Sequence, residues 1–407
     1  MEAAMEKTAL IWAEDGRGLQ KVYGIGAAKR LILLARLIGF DKIFVAEHGS
    51  DLLPVLSEFT GIEGLAYIHG ESWQSILGKL PFHEDEYVLL LNAGLVVDRW
   101  SLNRLLQAGR ERESVLLRKG GSVKEAAFFV KASRLYSLMS VSQGWHEVCA
   151  GLAADAIHVE TDRRLPLLLD PDRANIREAE AALSVAAGEA TWERDSLLYR
   201  HASRHISRLI SPWIARTGIT ANMVTLFCTL IGLAGAFVLT IGGYLSQITG
   251  SLLFLFSTII DLVDGEVARL KLQESNFGHY FDIICDNIVH VAVFVGIAFG
   301  LYQETGNGLF LRLLWFLLGG LGICALILNR ILSENRTGLQ PSPSAVLLES
   351  LFNNRDFAYV MTALALFHRL DWFFVASAIG AYLLALVLWA IRFFVSRPAG
   401  HRGVAGS

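Results

Sequence analysis

Four aspartates sit where a chain this apolar has least room for them. Between residues 261 and 286 the sequence reads Asp261-Leu-Val-Asp264-Gly265-Glu-Val-Ala268-Arg269, then eight residues, Gly278, three residues, Asp282, three residues and Asp286. The surrounding sequence is as hydrophobic as a membrane span. A charged residue at the centre of a bilayer helix costs roughly 2.5–3.5 kcal/mol, so four uncompensated aspartates would cost on the order of 10 kcal/mol. The fold must therefore supply a polar cavity, partner charges or a metal ion, and intramembrane carboxylates held in this way mark function.

The spacing narrows the chemistry. Asp261 and Asp264 are three apart and share one helix face. Gly278, Asp282 and Asp286 are each four apart and form a stripe on the following helix. Brought together, the stripes make a cluster of four carboxylates with neither His nor Cys. Hard oxygen ligands of this kind suit Mg²⁺, Mn²⁺ or Ca²⁺ rather than zinc. Carboxylate-held divalent ions beside small residues suit a phosphate or pyrophosphate substrate. Gly265 and Ala268 leave room for a bulky ligand against the helix.

The pattern D-x2-D-G-x2-A-R-x8-G-x3-D-x3-D is complete at Asp261, Asp264, Gly265, Ala268, Arg269, Gly278, Asp282 and Asp286. It resembles the CDP-alcohol phosphotransferase (CDP-alcohol phosphatidyltransferase) family. The resemblance covers roughly Thr217 to Arg397. It implies a six-helix membrane enzyme that transfers a substituted phosphate from a CDP-linked donor to an alcohol acceptor and releases CMP. On this reading Asp261, Asp264 and Asp282 hold one or two Mg²⁺ or Mn²⁺ ions on the donor pyrophosphate, and Asp286 shares one of them. Asp286 is also the expected general base on the acceptor hydroxyl. Gly265, Ala268 and Gly278 let the cytidine diphosphate approach, and Arg269 is a structural or phosphate-side partner. The family is usually homodimeric.

The remaining composition removes other classes. A net charge of −3 over 407 residues gives no case for nucleic acid binding. Cys149, Cys228, Cys285 and Cys324 are scattered, with no C-x-x-C pair, and suggest neither a disulfide framework nor a zinc site. The N-terminal run has no signal-peptide layout, since Glu2 and Glu6 precede a short apolar stretch. The first domain is therefore expected on the cytoplasmic side.

Residues 1–190 read as an α/β domain. Ala9–Ala13, Lys42–Ala46, Tyr87–Asn92 and Ala127–Lys131 are strand-like, and Ala27–Ile38 has helical spacing. Strands alternating with helices predict a mostly parallel sheet covered on both faces. Glu14-Asp15-Gly16-Arg17-Gly18-Leu19 follows the first strand, where a glycine-containing loop can cradle phosphates. The order of elements resembles the nucleotidyltransferase domain of sugar-phosphate and inositol-phosphate cytidylyltransferases. The chain departs from that pattern in two places. Glu14-Asp15 replaces small residues before Gly16, with Lys21 and Lys29 left as phosphate contacts and no Pro-Lys pair. Asn92-Ala93-Gly94 stands where the family carries a metal-binding aspartate, with Asp98 further on. Loss of that ligand should weaken triphosphate activation, so binding or scaffolding stands beside catalysis as the expected role.

A polar linker spans 171–195. Residues 196–216 form an amphipathic, basic juxtamembrane segment with Arg200, Arg204 and Arg208 four apart, suited to anionic headgroups and membrane lipids. The membrane domain, 217–397, opens on Thr217-Gly-Ile-Thr220-Ala-Asn222-Met-Val-Thr225, which resembles the family's T-P-N-x-x-T segment with Ala221 for proline. Asn222 is either a nucleotide contact or, with Thr220, a helix cap. Spans are expected at Met223–Ile241, Ile248–Val267, Phe281–Leu301, Phe310–Leu328, Phe357–Phe367 continuing towards Leu370, and Phe373–Phe394. Arg269, Lys271, Arg330, Arg336, Arg355, Arg392, Arg397 and Arg402 fall in the loops placed inside. The positive-inside rule then puts both termini in the cytoplasm, with the protein in the cell inner membrane. Arg330, Arg336 and Arg355 also suit a phosphorylated acceptor, or serve orientation alone.

A nucleotidyltransferase-like domain fused ahead of this membrane domain is the layout of bifunctional inositol-phosphate cytidylyltransferase/di-inositol-phosphate-phosphate synthases, which implies inositol-phosphate-type substrates. Two alternatives stand beside it. One is a phospholipid synthase using CDP-diacylglycerol with a non-catalytic first domain. The other is a membrane scaffold that binds CDP-alcohols without turnover.

Overall fold

The computed structural model describes residues 7–48, 63–70, 73–109, 114–118, 127–161, 164–189, 204–335 and 356–395. The chain divides into two compact units. The first is Met1–Ala190 with Ser211–Gly218 and Glu266–Gln273, and the second is Thr191–Ile210 with Ile219–Gly265 and Glu274–Ser407.

The strands of the first unit are β1 (Thr8–Ala13), β2 (Lys21–Val22), β3 (Ile25–Gly26), β4 (Lys42–Glu47), β5 (Leu65–His69), β6 (Tyr87–Asn92), β7 (Leu95–Val96), β8 (Ser114–Arg118), β9 (Ala127–Lys131), β10 (Ile157–Glu160) and β11 (Leu167–Leu168). Its helices are α1 (Ala27–Leu37), α2 (Trp73–Leu77), α3 (Arg99–Ala108), α4 (Ala132–Val141), α5 (Trp145–Asp155) and α6 (Ile176–Glu189). Among the described residues, seven strands make one sheet in the order β10-β8-β9-β6-β1-β4-β5. Thr8 of β1 pairs with Lys42 on one side and Val88 on the other. Pairing is parallel except where β9 meets β6 and β8.

β1 is buried along its whole length, as a strand with both faces covered must be. Its alternate residues serve opposite cores. Ala9 and Ile11 pack with Leu31 and Ile32 of α1, while Leu10 and Trp12 pack with Leu135 and Met139 of α4. The mostly parallel, helix-covered sheet expected from sequence is what forms. The strands β5, β8 and β10 add to it beyond the sequence reading.

The loop after β1 closes into a 3₁₀ turn at Gly16–Leu19. Asp15 caps it, accepting from Arg17 N–H at 3.0 Å and pairing with Arg17 Nε at 2.9 Å. A Cβ on Gly94 would lie 2.6 Å from that of Arg17, so the turn packs on the loop that leaves β6. There Asn92 spends its carboxamide oxygen on Gly94 N–H at 2.9 Å.

β2 and β3 form a hairpin whose two-residue turn, Tyr23-Gly24, has φ of +50° and +76°. A type I′ turn requires positive φ at both positions and favours Asn or Gly at the first. Tyr23 is held there by Glu180. Its N–H donates to Glu180 Oε1 at 3.1 Å and its hydroxyl to the Glu180 carbonyl at 2.7 Å.

α7 (Arg204–Ala215) carries Pro212 within it. Ser207 and Ser211 are buried while Leu209 and Trp213 are exposed, an apolar face suited to a membrane surface. Residues 196–203 of the expected amphipathic segment, Arg200 included, lie outside the described residues.

The helices of the membrane unit are α8 (Ala221–Thr240), α9 (Tyr244–Leu270), α10 (Asn276–Thr305), α11 (Leu309–Asn335), α12 (Phe357–Leu366) and α13 (Leu370–Val395). Among the described residues five are long and apolar enough to cross a bilayer, so the protein is an integral membrane protein. α12 has 10 residues, about half the usual crossing length. The sequence reading carried it on towards Leu370, but it ends at Leu366. His368 turns to φ +55°, and the N–H groups of His368 and Arg369 donate to the carbonyls of Ala365 and Leu364. That pattern is a Schellman stop. α8 and α10 approach through glycines. A Cβ on Gly296 would lie 2.3 Å from the Ala236 carbonyl oxygen, and one on Gly300 would lie 2.1 Å from that of Leu239. Small residues at such crossings are the usual means of packing helices in lipid.

Candidate functional site

α9 ends at Leu270 and α10 begins at Asn276. Asp264 lies six residues before that end and Asp282 six after that start. At about 1.5 Å per residue both carboxylates lie about 9 Å along their helices from the connecting loop. One carboxylate oxygen from each of Asp261, Asp264 and Asp282 falls within 4.8 Å of the others. Asp261 and Asp264 are buried and Asp282 is half-buried. Oxygens on opposite sides of a Mg²⁺ ion stand about 4 Å apart, so small side-chain rotations fit this set to a divalent ion. Its all-oxygen chemistry suits a hard cation.

Thr225, in the second turn of α8, donates its hydroxyl to Asp264 Oδ2. Were Asp264 a metal ligand, such a bond would orient its carboxylate from outside the ligand set. No role for Thr225 was read from sequence. The signal available was a hydroxyl three residues after Asn222, at the mouth of an apolar span.

Asp286 lies in an adjoining cleft with Asp261, lined also by Ser257, Thr258, Phe254 and His290. His290 extends the four-residue stripe Gly278–Asp282–Asp286 by one turn, a spacing that could have found it. Its ring meets Phe254 and Phe357 edge-on, at 5.9 and 5.3 Å between centroids.

Asn222 and Gly278 come together. Thr220 caps α8, accepting from Met223 N–H at 3.4 Å. Ser275 caps α10, accepting from Gly278 N–H at 3.0 Å. A Cβ on Gly278 would lie 3.2 Å from Asn222 Oδ1, so the missing side chain leaves room for that carboxamide. Gly265 and Ala268 are half-buried on α9 beyond Asp264. Arg269 is half-buried too, and its Nε donates to the Ala187 carbonyl at 3.0 Å. Arg330 is exposed on α11. Arg336 and Arg355 lie outside the described residues.

The end of α9 belongs to the first unit. Lys271 N–H donates to Val267, Gln273 N–H to Ala268 and Leu272 N–H to Arg269. The last two bonds make a Schellman motif, whose left-handed position normally holds glycine. Here it holds Leu272 at φ +51°, a conformation that costs an L-residue roughly 1–2 kcal/mol. The Leu272 side chain packs on the core that contains Leu31 and Ile32. The carbonyl of Leu270 accepts from Arg30 Nη1 at 2.7 Å. Glu266 accepts from the Ser211 hydroxyl at 2.6 Å, and Lys271 Nζ donates to the Thr217 carbonyl at 2.9 Å.

Fold and site together define an integral membrane protein with a carboxylate cluster between two of its helices. Residues 218–396, somewhat under half of the chain, match the family model CDP-alcohol phosphatidyltransferase. The bifunctional IPC transferase and DIPP synthase of Archaeoglobus fulgidus is 34% identical over 142 residues, 35% of this chain and 27% of that protein. The phosphatidylinositol phosphate synthase of Mycobacterium tuberculosis is 34% identical over 100 residues, 25% of this chain and 45% of that protein. The solved structure of that synthase with CDP-DAG bound gives a TM-score of 0.34 at 23% identity, covering 48% of this chain and 99% of that one. A 4-diphosphocytidyl-2C-methyl-D-erythritol synthase gives 0.33 at 15% identity, covering 42% of this chain and 99% of that one. The chain spans less than half the length of the two curated relatives.

Proposed function

We propose that the protein is a divalent-metal-dependent CDP-alcohol phosphotransferase of the cell inner membrane. The observation that supports this most is the convergence of Asp261, Asp264 and Asp282 oxygens inside the matched domain. These residues would hold Mg²⁺ or Mn²⁺, which when bound would neutralise charge on the donor pyrophosphate and on the CMP leaving group. Asp286 takes the proton of the acceptor hydroxyl. The hydroxyl oxygen bonds to the phosphorus that carries the donor's alcohol, the bond from that phosphorus to the CMP oxygen breaks, and CMP leaves. Asp286 then returns its proton to water. Asn222 and the small residues Gly265, Ala268 and Gly278 shape the donor site, and Arg330, Arg336 and Arg355 receive a phosphorylated acceptor. Both termini are cytoplasmic, the side on which CTP-derived donors are made, and the membrane domain, 217–397, works as a homodimer.

The first domain, 1–190, is a diverged nucleotidyltransferase relative that binds or scaffolds. Asn92, engaged with its own turn, stands where a metal-binding carboxylate is needed. An inositol-phosphate acceptor is supported by the likeness to phosphatidylinositol phosphate synthase. The same likeness favours a second reading, in which the donor is CDP-diacylglycerol rather than CDP-inositol.

Purified protein with Mn²⁺ would be given CDP-inositol or CDP-diacylglycerol, each with inositol phosphate, inositol or glycerol phosphate. CMP release with one pairing, lost in Asp286→Asn, is the expected result and names the donor. Tight CDP-alcohol binding without CMP release from any pairing would make the protein a scaffold and overturn the enzyme reading.

A further inference from the structure

We propose that Arg30 is a positioning residue for this reaction, fixing from the first domain the end of α9 and thereby the carboxylates Asp261 and Asp264. The inference rests on the transferase reading above. A helix leaves its last carbonyls without intrahelical partners. Val267, Ala268 and Arg269 find theirs in the three residues that follow the helix, and Leu270 finds its partner in Arg30, 240 positions earlier in the chain. That bond, at 2.7 Å, is the shorter of Arg30's two backbone contacts, the other reaching the Val22 carbonyl at 3.5 Å.

The guanidinium is buried, and burying a cation is favourable only with compensation. Burial lowers its affinity for a proton, and the neighbouring negative charge of Glu180 opposes that fall. Glu180 is itself fixed. It accepts from Tyr23 N–H at 3.1 Å and from Arg216 Nη2 at 2.6 Å. The anchor thus sits beside a fixed carboxylate, with Glu180 held by Tyr23 and Arg216. Four further ties hold the same end: Leu272 in the core, Arg269 on the Ala187 carbonyl, Glu266 on Ser211, and Lys271 on the Thr217 carbonyl.

α9 is unbroken from Tyr244 to Leu270, and Asp264 is less than two turns from the anchored carbonyl. Fraying or rotation of the final turn would displace Asp264 against Asp282, which stands on a separate helix. The first domain then contributes to transfer by holding ligand geometry, a role that needs no chemistry at Asn92.

Mn²⁺ binding to the full-length, detergent-solubilised chain, read by electron paramagnetic resonance, tests this beside CMP release. Arg30→Met is expected to weaken Mn²⁺ binding about tenfold, the lower range for residues that support metal ligands. The Mn²⁺ concentration for half-maximal CMP release should rise in parallel. Arg30→Lys, which keeps the charge and one donor, should fall between, about threefold weaker than wild type, and decides the matter if Arg30→Met does not fold. Tyr136→Phe removes hydrogen bonds between Tyr136 and Leu80 and Phe82, far along the chain from α9, and should leave Mn²⁺ binding unchanged. Wild-type affinity in the folded Arg30 variants would overturn the inference, as would an equal loss in Tyr136→Phe. Wild-type protein that binds no Mn²⁺ would overturn the metal-dependent reading itself, and this inference with it.

Discussion

Thr225 of α8 donates its hydroxyl to Oδ2 of Asp264 on α9. The bond restricts the rotation of a carboxylate that also contributes one oxygen to the cluster with Asp261 and Asp282. Thr225 is buried, so Thr225→Val keeps the volume and removes only the donor. Loss of an outer partner of this kind typically costs about 10–100-fold in metal affinity. Mn²⁺ titration should show a weakening in that range, and Thr225→Ser should restore most of it. Equal affinity in Thr225→Val would mean that the bond does not orient the carboxylate.

Gly300→Ala should destabilise the membrane unit. Its new Cβ would lie 2.1 Å from the Leu239 carbonyl oxygen, a backbone atom that cannot swing aside. Forcing such a crossing apart costs roughly 1–3 kcal/mol, read as a lower Tm in detergent. Gly380→Ala is the control. It meets nothing within 4 Å and should leave Tm unchanged or slightly higher.

Tyr23 gives the first unit an alkaline limit. Burial, and then the neighbouring charge of Glu180, push its phenol up to about 12, against the opposing pull of Arg216 and Arg30. The unfolded phenol ionises near 10. Its contribution is therefore complete below pH 10 and is lost as pH rises from 10 towards 12, where the unfolded chain releases a proton that the folded one keeps. The loss amounts to at most about 2–3 kcal/mol. Urea unfolding at several alkaline pH values should show wild type losing stability relative to Tyr23→Phe over that window. Parallel curves would show that the phenol is not held in this way.

The candidate site was legible because its information is local. Three- and four-residue spacing places Asp261 with Asp264, and Gly278 with Asp282, before any tertiary contact is known. The central strands were legible for a related reason, since a strand covered on both faces must be an unbroken apolar run. What could not be read is long-range. Arg30 follows Lys29 in a helical stretch, and nothing nearby in sequence points to the Leu270 carbonyl. Leu272 hides a left-handed turn behind a residue that avoids one, because the core that holds its side chain is assembled from distant segments. α12 stops early for a similar reason, with His368 in a conformation usually taken by glycine.

Asp286 separates two roles that its neighbours share. The converging oxygens belong to Asp261, Asp264 and Asp282, and Asp286 faces the cleft beside them. A carboxamide cannot act as a general base but fills the same space. Asp282→Asn should therefore weaken Mn²⁺ binding and CMP release together. Asp286→Asn should keep Mn²⁺ affinity within a few-fold, yet slow single-turnover CMP release by about 10²–10⁴, the usual range for losing a positioned acid or base. The loss should fall on kcat, with the KM for donor little changed. If Asp286→Asn loses Mn²⁺ as fully as Asp282→Asn, Asp286 is a metal ligand and the proton of the acceptor must leave by another route.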